Sequence, residues 1–285
     1  MIHHVLNLGA GVQSTALYLL SRQPDFKYRF DVAIFADTQE EPKAVYDHLA
    51  WLCTLGSPPI WIRTVGKLGN DLLHGRNTTG GRFVSIPCYA AEDHAARTPD
   101  FKMGLLRRQC TKEYKIEVIE RAIRRELVGL KPRQWMPQGV KVHQYFGITV
   151  DERERAEKAK KRFENHRWAV AVYPFLEMGW TRQDCVAWLK DKVPHEVPKS
   201  ACVFCPYRSA SSWLHLKQTD PDGWARAVEI DNALRGDAVA NRGMERKMYL
   251  HKKCIPLETV DLEAEARKRF CADKCMGECE GMCGV

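Results

Sequence analysis

The sequence predicts an α/β fold built on a doubly wound parallel sheet, with a mainly helical, Cys-rich C-terminal extension. Three observations carry this: strand-like and helix-like segments alternate through the first half, the first strand-to-helix junction is a Gly-rich turn, and 45% of the 285 residues are hydrophobic, enough to fill a core. Val5, Leu6 and Leu8 form a short buried strand, and Ala16, Leu17, Leu19 and Leu20 the apolar side of the helix that follows. "FDVAIFADT" is a second strand, and "EPKAVYDHLAWLCTLG" a helix with Pro42 near its start and Gly56 past its end. "PPIWIRTV" is a third strand. Residues 66–105 show little periodicity and suit a long active-site loop or lid. Beyond Cys110, apolar residues at Ile116, Ile119, Ile123, Leu127 and Leu130 mark a helical stripe with basic residues on its other side. "HQYFGITV" and "WAVAVYPF" are further strands, and Thr181 with Asp184 forms a capping box opening the helix "RQDCVAWLK". From about residue 210 the pattern is helical. The expected organisation is one α/β domain over residues 1–195 and a Cys-bearing extension over 196–285.

Lys and Arg total 44 against 36 Asp and Glu, a net charge of +8, and the excess is concentrated. Residues 107–133 hold nine basic and four acidic residues, and 153–167 hold seven and three. Such faces suit polyanions, nucleic acid above all, or are simply solvated helix surfaces. No stretch approaches the roughly 18 apolar residues of a membrane span, so no membrane partner and a cytoplasmic location are expected. In a reducing compartment, eleven cysteines point to metal or redox chemistry rather than to disulfides.

Five constellations carry chemistry. "LGAGVQSTALYLL" places Gly9, Gly11, Ser14 and Thr15 where a helix begins; unpaired N–H groups there accept an anion, although turns and caps use the same residues. "FADTQEEP" ends the second strand with Asp37, Thr38, Glu40 and Glu41, which could hold Mg²⁺ or ribose hydroxyls or merely favour the next helix start. "GITVDERERA" brings Gly147, Asp151, Glu152 and Arg155 to the same sheet edge, where the Arg could clamp a phosphate or the segment could simply open a basic helix. Cys110, with Cys202 and Cys205 of "SACVFCPYRS", forms a possible metal trio; a [4Fe-4S] cluster on three thiolates would keep one iron open, and zinc, a redox dithiol and plain burial are the other readings. The tail "CADKCMGECEGMCGV" spaces Cys271, Cys275, Cys279 and Cys283 by four, suiting a second metal centre, zinc or iron–sulfur, or a redox relay. Cys53 and Cys185 are expected in the core, and Cys88 and Cys254 have no assignment.

In order along the chain, "LGAGVQST", "ADTQEEP", "RQCTKEYK", "GITVDERER", "YPFLEMGWTRQDCVAWL" and "SACVFCPYR" resemble the adenine nucleotide α-hydrolase (PP-loop) superfamily, and within it the iron–sulfur branch of the phosphoadenosine phosphosulfate (PAPS) reductase-like proteins. The resemblance spans residues 5 to 210. It implies that Gly9, Gly11, Ser14 and Thr15 form the pyrophosphate loop, usually Ser-Gly-Gly-x-Asp-Ser, with Gly9, Ala10 and Gln13 as departures. It also implies that Asp37 and Thr38 lie beside the nucleotide, that Asp151, Glu152 and Arg155 lie at its phosphate or substrate end, and that Cys110, Cys202 and Cys205 hold the cluster. Two enzymatic mechanisms follow. In one, ATP adenylates an oxygen of a nucleic acid, tRNA or DNA, and sulfur at the open iron displaces AMP, with a sulfur-donor protein as a further partner. In the other, a tail thiolate, Cys279 or Cys283, attacks adenylyl sulfate or PAPS and releases sulfite. A third reading is a nucleotide- or nucleic-acid-binding metalloprotein without catalysis. A homodimer is allowed by all three.

Overall fold

The computed structural model describes residues 1–75, 86–91, 104–106, 108–164, 166–236, 240 and 246–270. Five strands, β1 (Ile2–Leu8), β2 (Val32–Ala36), β3 (Ile60–Arg63), β6 (Lys141–Tyr145) and β7 (Ala169–Val172), form an all-parallel sheet in the order β3-β2-β1-β6-β7. Helices cover both faces, an arrangement compatible with a doubly wound sheet. Side chains alternate as a strand requires. Leu6, Leu8, Ala33 and Phe35 pack against α1 (Val12–Leu20), α2 (Lys43–Thr54) and α7 (Arg182–Leu189), while Val5, Val32 and Ile34 face α4 (Glu117–Ala122). α5 (Arg153–Glu164) lies beside α4, joined to it by Arg162 and Glu120 at 2.6 Å.

The chain runs β1 to β2 to β3 on one side, then returns to place β6 and β7 on the other. Where the winding direction changes, the loops leaving β1 and β6 diverge and open a crevice at the C-terminal strand ends. The helical stripe expected after Cys110 is present, with wider π-type turns at Lys112–Ile116 and Ile123–Leu127 flanking α4. The Thr181–Asp184 capping box opens α7, with Asp184 N–H donating to Thr181 Oγ1 at 3.1 Å.

Residues 66–105 differ from the expected loop. They include α3 (Leu68–Leu73) and the short strands β4 (Tyr89–Ala91) and β5 (Gly104–Leu105); β4 pairs antiparallel with β5 on one side and with β8 (Lys247–Tyr249) on the other. Periodicity was invisible there because the partners come from the other end of the chain. A second core unites Leu68, Leu72 and Tyr114 with Phe204, with Trp213 of α8 (Ala210–Thr219), and with Ile230 of α9 (Pro221–Gly236). α6 (Pro174–Met178) and α10 (Leu262–Phe270) complete the described elements. Among the described residues no helix is long and apolar enough to cross a membrane.

Candidate functional site

The crevice between β1 and β6 is lined by Gly9, Gly11, Gln13, Ser14, Gly147 and Arg155, among others. Its floor is backbone. Gly9 and Gly11 N–H both donate to Ser14 Oγ at 3.2 Å, so the hydroxyl at the head of α1 holds the loop in a tight arc. Ala10 adopts φ +57°, a left-handed conformation that costs a non-glycine residue about 1 kcal/mol or more. Gly147 is needed for contact rather than for its torsions: a Cβ there would stand 2.9 Å from both the Gln13 carbonyl carbon and the Ser14 nitrogen. The side wall is charged. Gln13 donates to Glu152 Oε2 at 2.9 Å, and Glu152 is ion-paired with Arg155. Lys199, which sequence reasoning passed over, also lines the crevice.

Three predicted nucleotide-site residues stand elsewhere. Thr15 is fully buried and its hydroxyl pairs with His48 Nε2 at 2.9 Å, while His48 Nδ1 meets His195 Nε2 at 2.8 Å. Burial, with the charge of His195 second, lowers the His48 pKa to about 4. Asp37 caps its own turn, accepting from Gln39 N–H at 2.7 Å and Tyr46 O–H at 2.9 Å. Asp151 accepts from Arg182 N–H at 2.6 Å and so ties down the start of α7. Both aspartates satisfy backbone donors, Asp37 one in its own turn and Asp151 one 31 residues on, a role that sequence cannot distinguish from ligand binding.

Thr38 turns to a second pocket, where its hydroxyl lies 3.1 Å from Cys202 Sγ. This pocket is lined by Cys110, Cys202 and Cys205 together with Thr111, Lys115 and Arg108. The structure thus brings the sequence-predicted trio to one cavity. Among the described residues no group of three or more His, Cys, Asp or Glu side chains could hold a metal ion directly. Two features nevertheless suit an anionic group bridging the thiols. Among the described residues Thr111 Oγ1 is buried without a hydrogen-bond partner, an omission that typically costs about 1–3 kcal/mol unless a ligand makes the bond. Arg208 is buried and directs its hydrogen bonds to Ala201 O at 2.6 Å, Cys202 O at 3.2 Å and Ser212 Oγ at 3.1 Å. Burial lowers its pKa, and the neighbouring Cys205, Glu41 and Cys202 oppose that shift, so a negative charge on the thiol loop would be stabilised.

The partition between crevice and thiol pocket is ionic. Glu41, fully buried as a side chain, pairs with buried Lys115 at 3.0 Å and accepts from Ser200 Oγ at 3.4 Å. Its neighbour Glu40 pairs with Arg226 at 2.8 Å and accepts from Gly69 N–H at 3.1 Å. Both glutamates therefore organise the site from beneath. Lys115, Arg208, Arg226 and the His48–His195 pair had no signal in the sequence, because each acts through a partner distant in the chain.

Of the remaining cysteines, Cys185 is in the core, its thiol pushed up to about 12 by burial. Cys53 is exposed, contrary to its expected core position, because α2 turns it away from the Leu49 and Leu52 face. Cys88 is buried with its thiol donating to Met248 Sδ at 3.4 Å, and Cys254 is buried too. Cys271, Cys275, Cys279 and Cys283, and with them the proposed tail metal centre and tail nucleophile, lie outside the described residues. Comparison of the chain with protein-family models, with characterised proteins and with solved structures returns no match.

Proposed function

We propose that this chain is a PP-loop enzyme of sulfur chemistry that activates an oxygen of a nucleic acid with ATP and replaces it with sulfur. One observation carries the reading: the segment 198–206 lines both cavities, with Ser200 against Gly11 in the crevice and Cys202 and Cys205 in the thiol pocket. A nucleotide on the loop and a sulfur-bearing group on the thiols would be neighbours.

In this reading the head of α1 receives the ATP phosphates, its entry loop held in place by the Gly9 and Gly11 N–H bonds to Ser14 Oγ, with Lys199 and the Glu152-paired Arg155 at the crevice wall. The acceptor oxygen attacks the α-phosphorus and pyrophosphate leaves. A sulfide nucleophile, supplied as inorganic sulfide, then attacks the adenylated centre and AMP departs with the oxygen. Activation is required because an amide or phosphate oxygen is a poor leaving group. Cys110, Cys202 and Cys205 would hold a [4Fe-4S] cluster, which when bound supplies an iron with an open position for sulfur. Arg208 and Lys115 would offset the negative charge of the thiolates, and Thr111 Oγ1 would gain its missing partner. Mg²⁺ would accompany ATP, although Asp37 and Asp151 are engaged by backbone donors.

The test is competitive nucleotide binding to anaerobically purified protein, titrating ATP against adenylyl sulfate and PAPS, alongside iron and acid-labile sulfide assays of Cys110→Ala, Cys202→Ala and Cys205→Ala. The proposal expects preference for ATP and loss of iron and sulfide in each variant. Preference for a sulfonucleotide makes the chain a reductase instead, and wild-type iron and sulfide in the variants removes the trio from the chemistry.

A further inference from the structure

No Asp or Glu occurs between Glu126 and Asp151. The loop 128–140 that connects the helical run of α4 to β6 lies in this stretch, at the N-terminal edge of the sheet, opposite the crevice. At its tip Trp135 is 88% exposed, the most exposed large hydrophobic residue among those described. The loop that carries it is braced. Arg124 Nη2 donates to Gln134 O at 2.6 Å, Lys131 N–H to Gln134 Oε1 at 2.9 Å, and Gln134 N–H to Lys131 O at 3.1 Å. Pro132 and Pro137 restrict the backbone on either side, and Arg133 is held at φ +64°, a conformation an arginine adopts only when its surroundings impose it.

The surroundings are cationic. Lys131, Arg133, Lys141 and Arg167 are exposed, and Lys141 Nζ is spent on a carbonyl, Arg167 O at 2.6 Å, which leaves its charge unneutralised. Glu126 is committed to Arg63 and Glu120 to Arg162, and Glu164 at the end of α5 is an exposed acid in this stretch. From this patch α5 leads back to the crevice, beginning beside Arg155 and carrying exposed Lys158, Lys160 and Lys161; its 12 residues span about 18 Å.

We propose that Trp135 and the cations around it form a stacking platform for an unpaired base of single-stranded nucleic acid, whose backbone then follows α5 toward the crevice. An indole face presented to water gains by stacking on any base, and flanking Lys and Arg neutralise the adjoining phosphates. A duplex offers no free base face to an isolated Trp. The platform names the strand state of the acceptor and rests on the nucleic-acid part of the reading above, but its test needs neither ATP nor the thiol pocket.

Fluorescence anisotropy of labelled single-stranded DNA and RNA, against a duplex of the same sequence and against polyglutamate, reads the platform in the full-length protein. Trp135→Ala should weaken single-strand binding about tenfold or more, Trp135→Phe should restore most of it, and duplex binding should be unchanged. Lys131→Ala should reduce the salt slope of log K by about one, whereas Trp135→Ala should leave that slope unaltered. Equal single-strand affinity in Trp135→Ala and wild type, or polyglutamate bound as tightly as the oligonucleotides, overturns the proposal. If binding depends on Trp135 while ATP preference is absent, the platform stands and the sulfur-transfer reading falls.

Discussion

The crevice and the thiol pocket share a wall, yet they are built by opposite means. The crevice is made of backbone: the loop Gly9–Ser14, the head of α1 and the close approach of Gly147, all at the ends of adjacent parallel strands. The thiol pocket is made of side chains from separate stretches, with Thr38, Leu68, Ile86, Cys110 and Cys202 drawn together by the second core. An anion can be received by N–H groups that one turn supplies. A thiolate-held group needs ligands converging from afar and buried cations to balance them, so the pocket depends wholly on long-range packing, whereas the crevice draws its floor from one turn and only its walls from afar.

The ion pair on the shared wall puts that contrast under the greatest stress. Lys115→Met leaves the Glu41 carboxylate buried and uncompensated, and should cost about 3–5 kcal/mol in urea unfolding while weakening both sites together. The double variant Glu41→Leu/Lys115→Met should recover most of that loss, since two apolar groups of similar volume need no pairing. A Lys115→Met protein of wild-type stability would mean that the two cavities are not held apart by this pair.

Histidines extend the comparison to pH, because each core buries one. Burial lowers His48, beside α1, from 6.5 to about 4, and does the same to His251 in the C-terminal half. A base whose folded pKa is depressed binds its proton more readily when unfolded, so stability falls as pH drops from 6.5 toward 4 and is flat above. For His48 the loss across that window is up to about 3 kcal/mol. His48→Gln should remove its share of the slope in urea titrations at stepped pH and leave the share of His251 in place. An unchanged slope would show that His48 is not charged on unfolding in that range.

The same contrast governs what was legible in the sequence. The strands, α1, α2, the capping box and the Gly-rich loop were readable because each is determined within a dozen residues. Asp37 and Asp151 were read as ligands, yet each satisfies a backbone donor close by in space, and the residue type alone fits either role. The segment 66–105 lacked periodicity because α3 and β4 are stabilised by α9 and β8 rather than by their own amphipathicity. Lys115, Arg208 and His48 were missed for one reason: a buried polar residue is identified by its partner, and each partner is set by the tertiary fold.

The smallest expected effect isolates the crevice. Gly147→Ala places a methyl group 2.9 Å from the backbone of Gln13 and Ser14, and backbone atoms cannot rotate aside as a side chain would. The loop Gly9–Ser14 must therefore shift by several tenths of an ångström, at a cost of about 1–3 kcal/mol, typical of overpacking. ATP affinity should fall about tenfold, because N–H groups aimed at a phosphate lose their alignment faster than the fold loses its stability. Iron and sulfide content should be unaffected, since Gly147 does not line the thiol pocket. Were both readouts to fall together, the crevice and the thiol pocket would be one cooperative unit, and their different construction would not translate into independent behaviour.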